Sequence, residues 1–221
     1  MSDVSRLGGG YAESRPRPRP TAEAVLGSAA PGSAAARLAV IAGPPGSGKS
    51  SLAGALQRLL PGSFVVDKDW CSGPFILEIA GQTATRPEEA YGTDLYWERL
   101  RPIEYGTAVA SSCANLVGAR TVFLVGGWGP ELGVEHLWTS LRSRIAPAKL
   151  VVIHLDPPEI EEWRTRMSAR GSRTDSPWFE SFCSALGGLP VWEGAVRLSG
   201  GGSRNEVVEQ ALAALAAGTE R

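Results

Sequence analysis

Between an apolar run, Leu38-Ala39-Val40-Ile41-Ala42, and a helix-forming stretch from about Lys49 to Leu60, the chain places Gly43-Pro44-Pro45-Gly46-Ser47-Gly48-Lys49-Ser50. A glycine, four free positions and then Gly-Lys-Ser, set between a strand and a helix, is a loop whose main-chain N–H groups turn inward around phosphate oxygens. The helix start behind the loop adds a favourable dipole. On this reading Gly43, Gly46, Ser47 and Gly48 shape the cradle, and Lys49 reaches the outer phosphates. The Ser50 hydroxyl ligates Mg²⁺, and Ser51, next in the first helical turn, completes the nucleotide-binding loop. Pro61-Gly62 ends that helix.

The remaining pattern alternates short apolar runs with helical stretches. Strands are expected at Phe64–Val66, Thr121–Val125, Leu150–Leu155 and Ala195–Leu198. Helical patterns fill about 74–119, Glu135–Ile145, the stretch after Pro157-Pro158, and a final helix capped by Ser203 and running to about Ala217. Five strands alternating with helices predict a three-layer α/β fold: a parallel sheet covered on both faces. Residues 1–36, with Arg15-Pro16-Arg17-Pro18-Arg19-Pro20, read as a disordered or extended tail, with a short helix allowed over 21–26, and residues 37–221 as the folded domain.

Composition excludes several partners. The formal net charge is −1, so there is no global basic field for nucleic acid. No apolar run of about 18 residues suggests a membrane span, and the first twenty residues lack the apolar core of a secretory signal. Cys71, Cys113 and Cys183 are widely spaced and form neither a disulfide framework nor a zinc pattern, which suits a reducing cytoplasm. Only three of the 22 basic residues are lysine, and two of them, Lys49 and Lys68, fall inside motifs. Oligomeric state is not legible.

The second strand ends in Asp67-Lys68-Asp69, where a parallel strand faces its ligand crevice. One carboxylate can hold Mg²⁺ and the other can orient or deprotonate a substrate hydroxyl; which of them is the base stays open. The third strand ends in Gly126-Gly127-Trp128-Gly129 with no carboxylate, against a motor ATPase, and no Asn-Lys-x-Asp is present for a guanine switch. After the fourth strand, Ile160, Trp163 and Met167 form a core face, while Arg166, Arg170 and Arg173 form a neighbouring stripe with a glycine hinge, Gly171, within it. Such a stripe suits a lid, over about 166–187, that brings guanidinium groups to a transferring phosphoryl group.

Together these residues resemble the P-loop small-molecule kinases, the group containing shikimate kinase, gluconate kinase and chloramphenicol phosphotransferase, over about residues 37–217. The resemblance implies ATP and Mg²⁺, with Ser50 and Asp67 serving the metal and Asp69 the acceptor. Lys49, Arg170 and Arg173 are implied for phosphoryl charge, Arg166 for the adenine, and the loop at Ser199-Gly200-Gly201 borders the base. It implies an acceptor pocket built from about 70–119 and the glycine run, with Trp70, Tyr96, Arg101, Gly126, Gly127 and Trp128 as candidates. The arginine with which shikimate kinase clamps a carboxylate has no clear match, so shikimate itself is not expected. The aromatic-rich segment suggests a ring-bearing or glycosidic acceptor, as in antibiotic-modifying kinases. Two alternatives stand beside this reading: a toxin-like nucleotide-sugar kinase, and a non-catalytic nucleotide-binding switch.

Overall fold

The computed structural model describes residues 16–217 apart from residue 176. Five parallel strands, β1 (Arg37–Ala42), β2 (Phe64–Asp67), β3 (Thr121–Val125), β4 (Lys149–Asp156) and β5 (Val196–Ser199), lie in the order β2-β3-β1-β4-β5. The register aligns their C-terminal ends: Asp67 lies opposite Val125, Ala42 opposite His154, and Asp156 opposite Ser199. Chain polarity therefore delivers every strand end to one rim, where open α/β sheets bind ligands.

Side-chain alternation along β1 and β3 feeds two cores. Leu38, Val40, Val122 and Leu124 pack beneath α1 (Pro18–Ser28), α4 (Arg101–Ala114) and α5 (Glu135–Ile145). Ala39, Ile41, Phe123 and Val125 pack against α2 (Lys49–Leu59) and α8 (Arg204–Ala217). The expected three-layer architecture is thus present. Ser203 caps α8 as expected: its hydroxyl accepts from the Glu206 N–H, and the Glu206 carboxylate accepts from the Ser203 N–H.

Two expectations need correction. The described part of the expected tail is largely a helix, α1, because Pro18 and Pro20 sit in its first turn, where no intrahelical partner for an N–H is lost. Its face carries Thr21 and Val25, both fully buried, and it packs on α4, where Gly106 leaves room for Ser28. Arg17 ties it to Asp94, at 3.1 Å, and to Glu98. The rest of the expected tail, residues 1–15, lies outside the described residues. The second correction concerns 74–119. There α3 starts earlier, spanning Lys68–Gln82; a 3₁₀ turn (Pro87–Gly92) and a π-helical turn (Tyr96–Leu100) follow; and α4 begins at Arg101-Pro102. After β4 come α6 (Ile160–Ala169) and α7 (Trp178–Gly187). Among the described residues no helix is long and apolar enough to cross a membrane.

Candidate active site

The loop after β1 is shaped by glycine. Gly43, Gly46 and Gly48 all have positive φ, at 143°, 80° and 100°. At Gly43 a β-carbon would sit 2.4 Å from the Leu155 carbonyl oxygen, so the cradle closes only without a side chain. Inside it, the Ser47 hydroxyl is buried with no partner among the described residues. A buried hydroxyl left unsatisfied costs free energy, so this one suits an anion's oxygen. The Lys49 ammonium folds onto the Pro44 carbonyl at 2.8 Å. Burial lowers Lys49 to about 8, against the pull of Asp69 and Asp67.

Asp67 ends β2 and caps α3, accepting the Asp69 N–H at 3.1 Å. Its other oxygen accepts the Ser50 hydroxyl at 2.9 Å. Burial and the Asp69 charge push the Asp67 carboxyl up, while these two hydrogen bonds pull it back. Asp69, in the first turn of α3, faces the cleft. Burial would raise its pKa, but the Lys68 ammonium, 2.6 Å away, outweighs this and holds Asp69 below the usual carboxylate range. Ser50, Asp67 and Asp69 thus converge as the spacing predicts.

A single cleft along the rim joins this cradle to an aromatic wall of Tyr91, Tyr96 and Tyr105 and to an apolar edge of Phe182, Leu186, Leu189 and Val191. Of the expected acceptor residues, Tyr96, Arg101 and Gly127 line it. Trp70 does not: it is 73% exposed, because α3 turns that position outward. Trp128 is buried between Tyr105 and Trp138, and its main-chain N–H donates to the Tyr105 hydroxyl at 3.0 Å. Gly126 spends its N–H on the Ile41 carbonyl at 3.2 Å. Sheet pairing and core packing therefore claim two of the three positions.

In the arginine stripe, Arg170 lines the cleft. Arg166 donates to the Gly200 carbonyl at 2.9 Å, joining α6 to the loop after β5. Arg173 lies outside the cleft, paired with Asp175 at 2.7 Å and lying over the Trp178 ring. Trp163 and Met167 are buried as expected, whereas Ile160 is 42% exposed. Gly200 borders the cradle close to the Ser47 carbonyl, and Ser51 is exposed on the first turn of α2.

Sequence reasoning missed a buried polar network. Lys68 binds Asp69 and also Glu104, at 3.1 Å; the Glu104 carboxylate accepts from Ser72 at 3.0 Å and from Tyr96 at 2.9 Å. Burial would lower Lys68, but Asp69 and Glu104 hold its ammonium well above the usual lysine range. Arg101 makes a two-pronged contact with Glu131, at 3.0 and 2.6 Å. The retained lysine within Asp-Lys-Asp was the one signal in the sequence. Also unforeseen is a trio at the opposite end of the cleft, where His154 meets Asp156 at 2.9 Å and Asp156 pairs with Arg197 at 2.7 Å.

The strand order β2-β3-β1-β4-β5, a glycine-shaped loop after β1 and a carboxylate pair after β2 together set the rim of the sheet. No family model matches the chain, and no curated protein matches it in sequence. Among solved structures it is similar to a tunicamycin resistance protein from Deinococcus radiodurans (TM-score 0.57, 19% identity, 81% of this chain and 95% of that one). It is similar as well to a gluconokinase from Sinorhizobium meliloti 1021 (TM-score 0.53, 19% identity, 82% and 92%) and to a shikimate kinase from Bacteroides thetaiotaomicron (TM-score 0.51, 16% identity, 81% and 98%). At these identities the likeness is one of fold.

Proposed function

We propose that the chain is an ATP- and Mg²⁺-dependent phosphotransferase acting on a hydroxyl group of a small molecule. The Ser50–Asp67 contact carries this reading: a hydroxyl at the helix start behind the cradle meets a carboxylate at the neighbouring strand end, 2.9 Å away. A hard cation between phosphate oxygens and these two groups suits oxygen donors. The residues fit a nucleotide on their own evidence, with an orphan Ser47 hydroxyl and a cradle at Gly43 that a β-carbon would fill. When bound, Mg·ATP would supply the transferable phosphoryl group and neutralise its charge.

The chain's own groups would then act by position and charge. Lys49 leaves the Pro44 carbonyl for phosphate oxygens, and Arg170, which lines the same cleft, adds charge. Asp69 orients the acceptor hydroxyl. Transfer forms a bond between the acceptor oxygen and the γ-phosphorus. It breaks the bond from that phosphorus to ADP, which keeps the electron pair, and it releases the acceptor proton through Asp69 to water. The likeness in fold to solved kinases supports this reaction class. The long cleft, with its aromatic wall and apolar edge, favours an antibiotic or glycosidic acceptor over a very small one.

The test is a mass-spectrometric screen of hydroxylated metabolites and antibiotics for ATP-dependent gain of one phosphate. Lys49→Ala should cost about 10²–10³ in rate, the scale of losing one charge-stabilising donor. If Lys49→Ala and Asp69→Asn both leave transfer intact, the assignment is wrong.

A further inference from the structure

The acceptor end of the cleft has already committed its positive charge. Lys68 and Arg101 both line it, and both are bound to carboxylates of this chain. Lys68 holds Asp69 and Glu104; Arg101 holds Glu131 with two N–H groups and the Tyr96 hydroxyl with a third, at 3.2 Å. Two cations face three carboxylates, a local balance of −1. Arg101 is 2% exposed and Glu131 is fully buried. For Arg101 to clamp an incoming anion, it would have to abandon a carboxylate that has no access to water.

A second, independent observation lies on the same wall. Tyr91, 7% exposed, lines the cleft, and its hydroxyl has no hydrogen-bond partner among the described residues. Its ring is held edge-on against Tyr96, with centroids 4.8 Å apart. A buried hydroxyl fixed in place without a partner is one that a ligand's polar group satisfies.

We propose that this end of the cleft selects a polyhydroxylated ring bearing no carboxylate or phosphate. One acceptor hydroxyl meets Asp69, a second meets the Tyr91 hydroxyl, and the C–H face of the ring lies on the tyrosine wall. This deepens the phosphotransferase reading and rests on it. It also separates the chain by charge from acceptors such as gluconate and shikimate, both of which are carboxylates.

Matched pairs that differ in an anionic group test it. Glucose with glucuronate, methyl glucoside with methyl glucuronide, and methyl shikimate with shikimate are offered to the full chain with ATP and Mg²⁺, and gain of one phosphate is read by mass spectrometry. Transfer should be confined to the uncharged members, by about 10²-fold or more in kcat/KM, the scale of breaking a buried ion pair. Tyr91→Phe should raise the acceptor KM about tenfold, one hydrogen bond's worth, with ADP affinity as in the wild type. Preference for the anionic members, or no transfer to any member while ADP binds by calorimetry, overturns the acceptor class. An unchanged KM in Tyr91→Phe overturns the role of Tyr91. Failure of wild-type chain to bind ADP removes the nucleotide reading itself and the inference with it.

Discussion

The indole N–H of Trp163 donates to the carbonyl of Pro45 across 2.7 Å. In a trans peptide the C=O and the following N–H point in opposite directions. Holding the Pro45 oxygen from outside the loop therefore aims the Gly46 N–H into the cradle. Trp163 also touches Phe179 and Phe182 of α7, so a single buried side chain joins that helix to the cradle. Trp163→Phe keeps a ring in the cluster and removes the donor. ADP should then bind about tenfold more weakly by calorimetry, well below the unfolding midpoint of either protein. Unchanged affinity would show that the loop holds its shape without this contact.

Asp67 and Ser50 should behave as a pair. Removing either oxygen weakens one site, so Ser50→Ala and Asp67→Asn should each raise the Mg²⁺ concentration needed for half-maximal nucleotide binding. The double variant should do little more than the worse single one, because groups that share a partner are not additive. A titration of ADP affinity against Mg²⁺ with all three variants checks this, and strict additivity would mean separate roles.

Arg101 and Glu131 form an almost wholly buried ion pair, 2% and 0% exposed. Glu131→Ala strands the guanidinium and should cost about 3–5 kcal/mol in urea unfolding. Arg101→Met with Glu131→Leu should recover much of that stability while leaving the acceptor wall uncharged at that point. A Glu131→Ala chain as stable as the wild type would contradict the pairing.

His154 supplies the pH dependence. Burial holds its pKa below the ordinary value, although Asp156 pulls upward. The unfolded chain therefore binds a proton that the native chain resists. The stabilising contribution of neutral His154 is complete above about pH 6.5 and is lost as pH falls through the lower native value. Wild-type urea midpoints should fall more steeply between pH 7.5 and 5.5 than those of His154→Gln. Parallel slopes would show that His154 does not titrate in this window.

Local pattern carried a good part of this architecture. The cradle, all five strands and the Asp67/Asp69 pair were legible because each is written within a few consecutive residues whose chemistry admits few alternatives. What escaped depends on distance along the chain. Glu104 and Glu131 meet Lys68 and Arg101 only because α4 crosses beneath the strand ends, and no periodicity announces a buried carboxylate. Trp128 and Gly126 lay in the expected run, yet Tyr105 and Ile41 claimed their N–H groups. The proline-rich start was misjudged because prolines that forbid a helix interior are welcome in a first turn.

That opening helix rests on one side of α4, while Arg101, Glu104 and Tyr105 project their chemistry from the same helix. Helix α1 and the tyrosine wall of the cleft are thus back to back, one helix thick. A tag, a proteolytic nick or a tethered protein placed near Pro18 would press on substrate choice through that shared beam, even though it never enters the cleft.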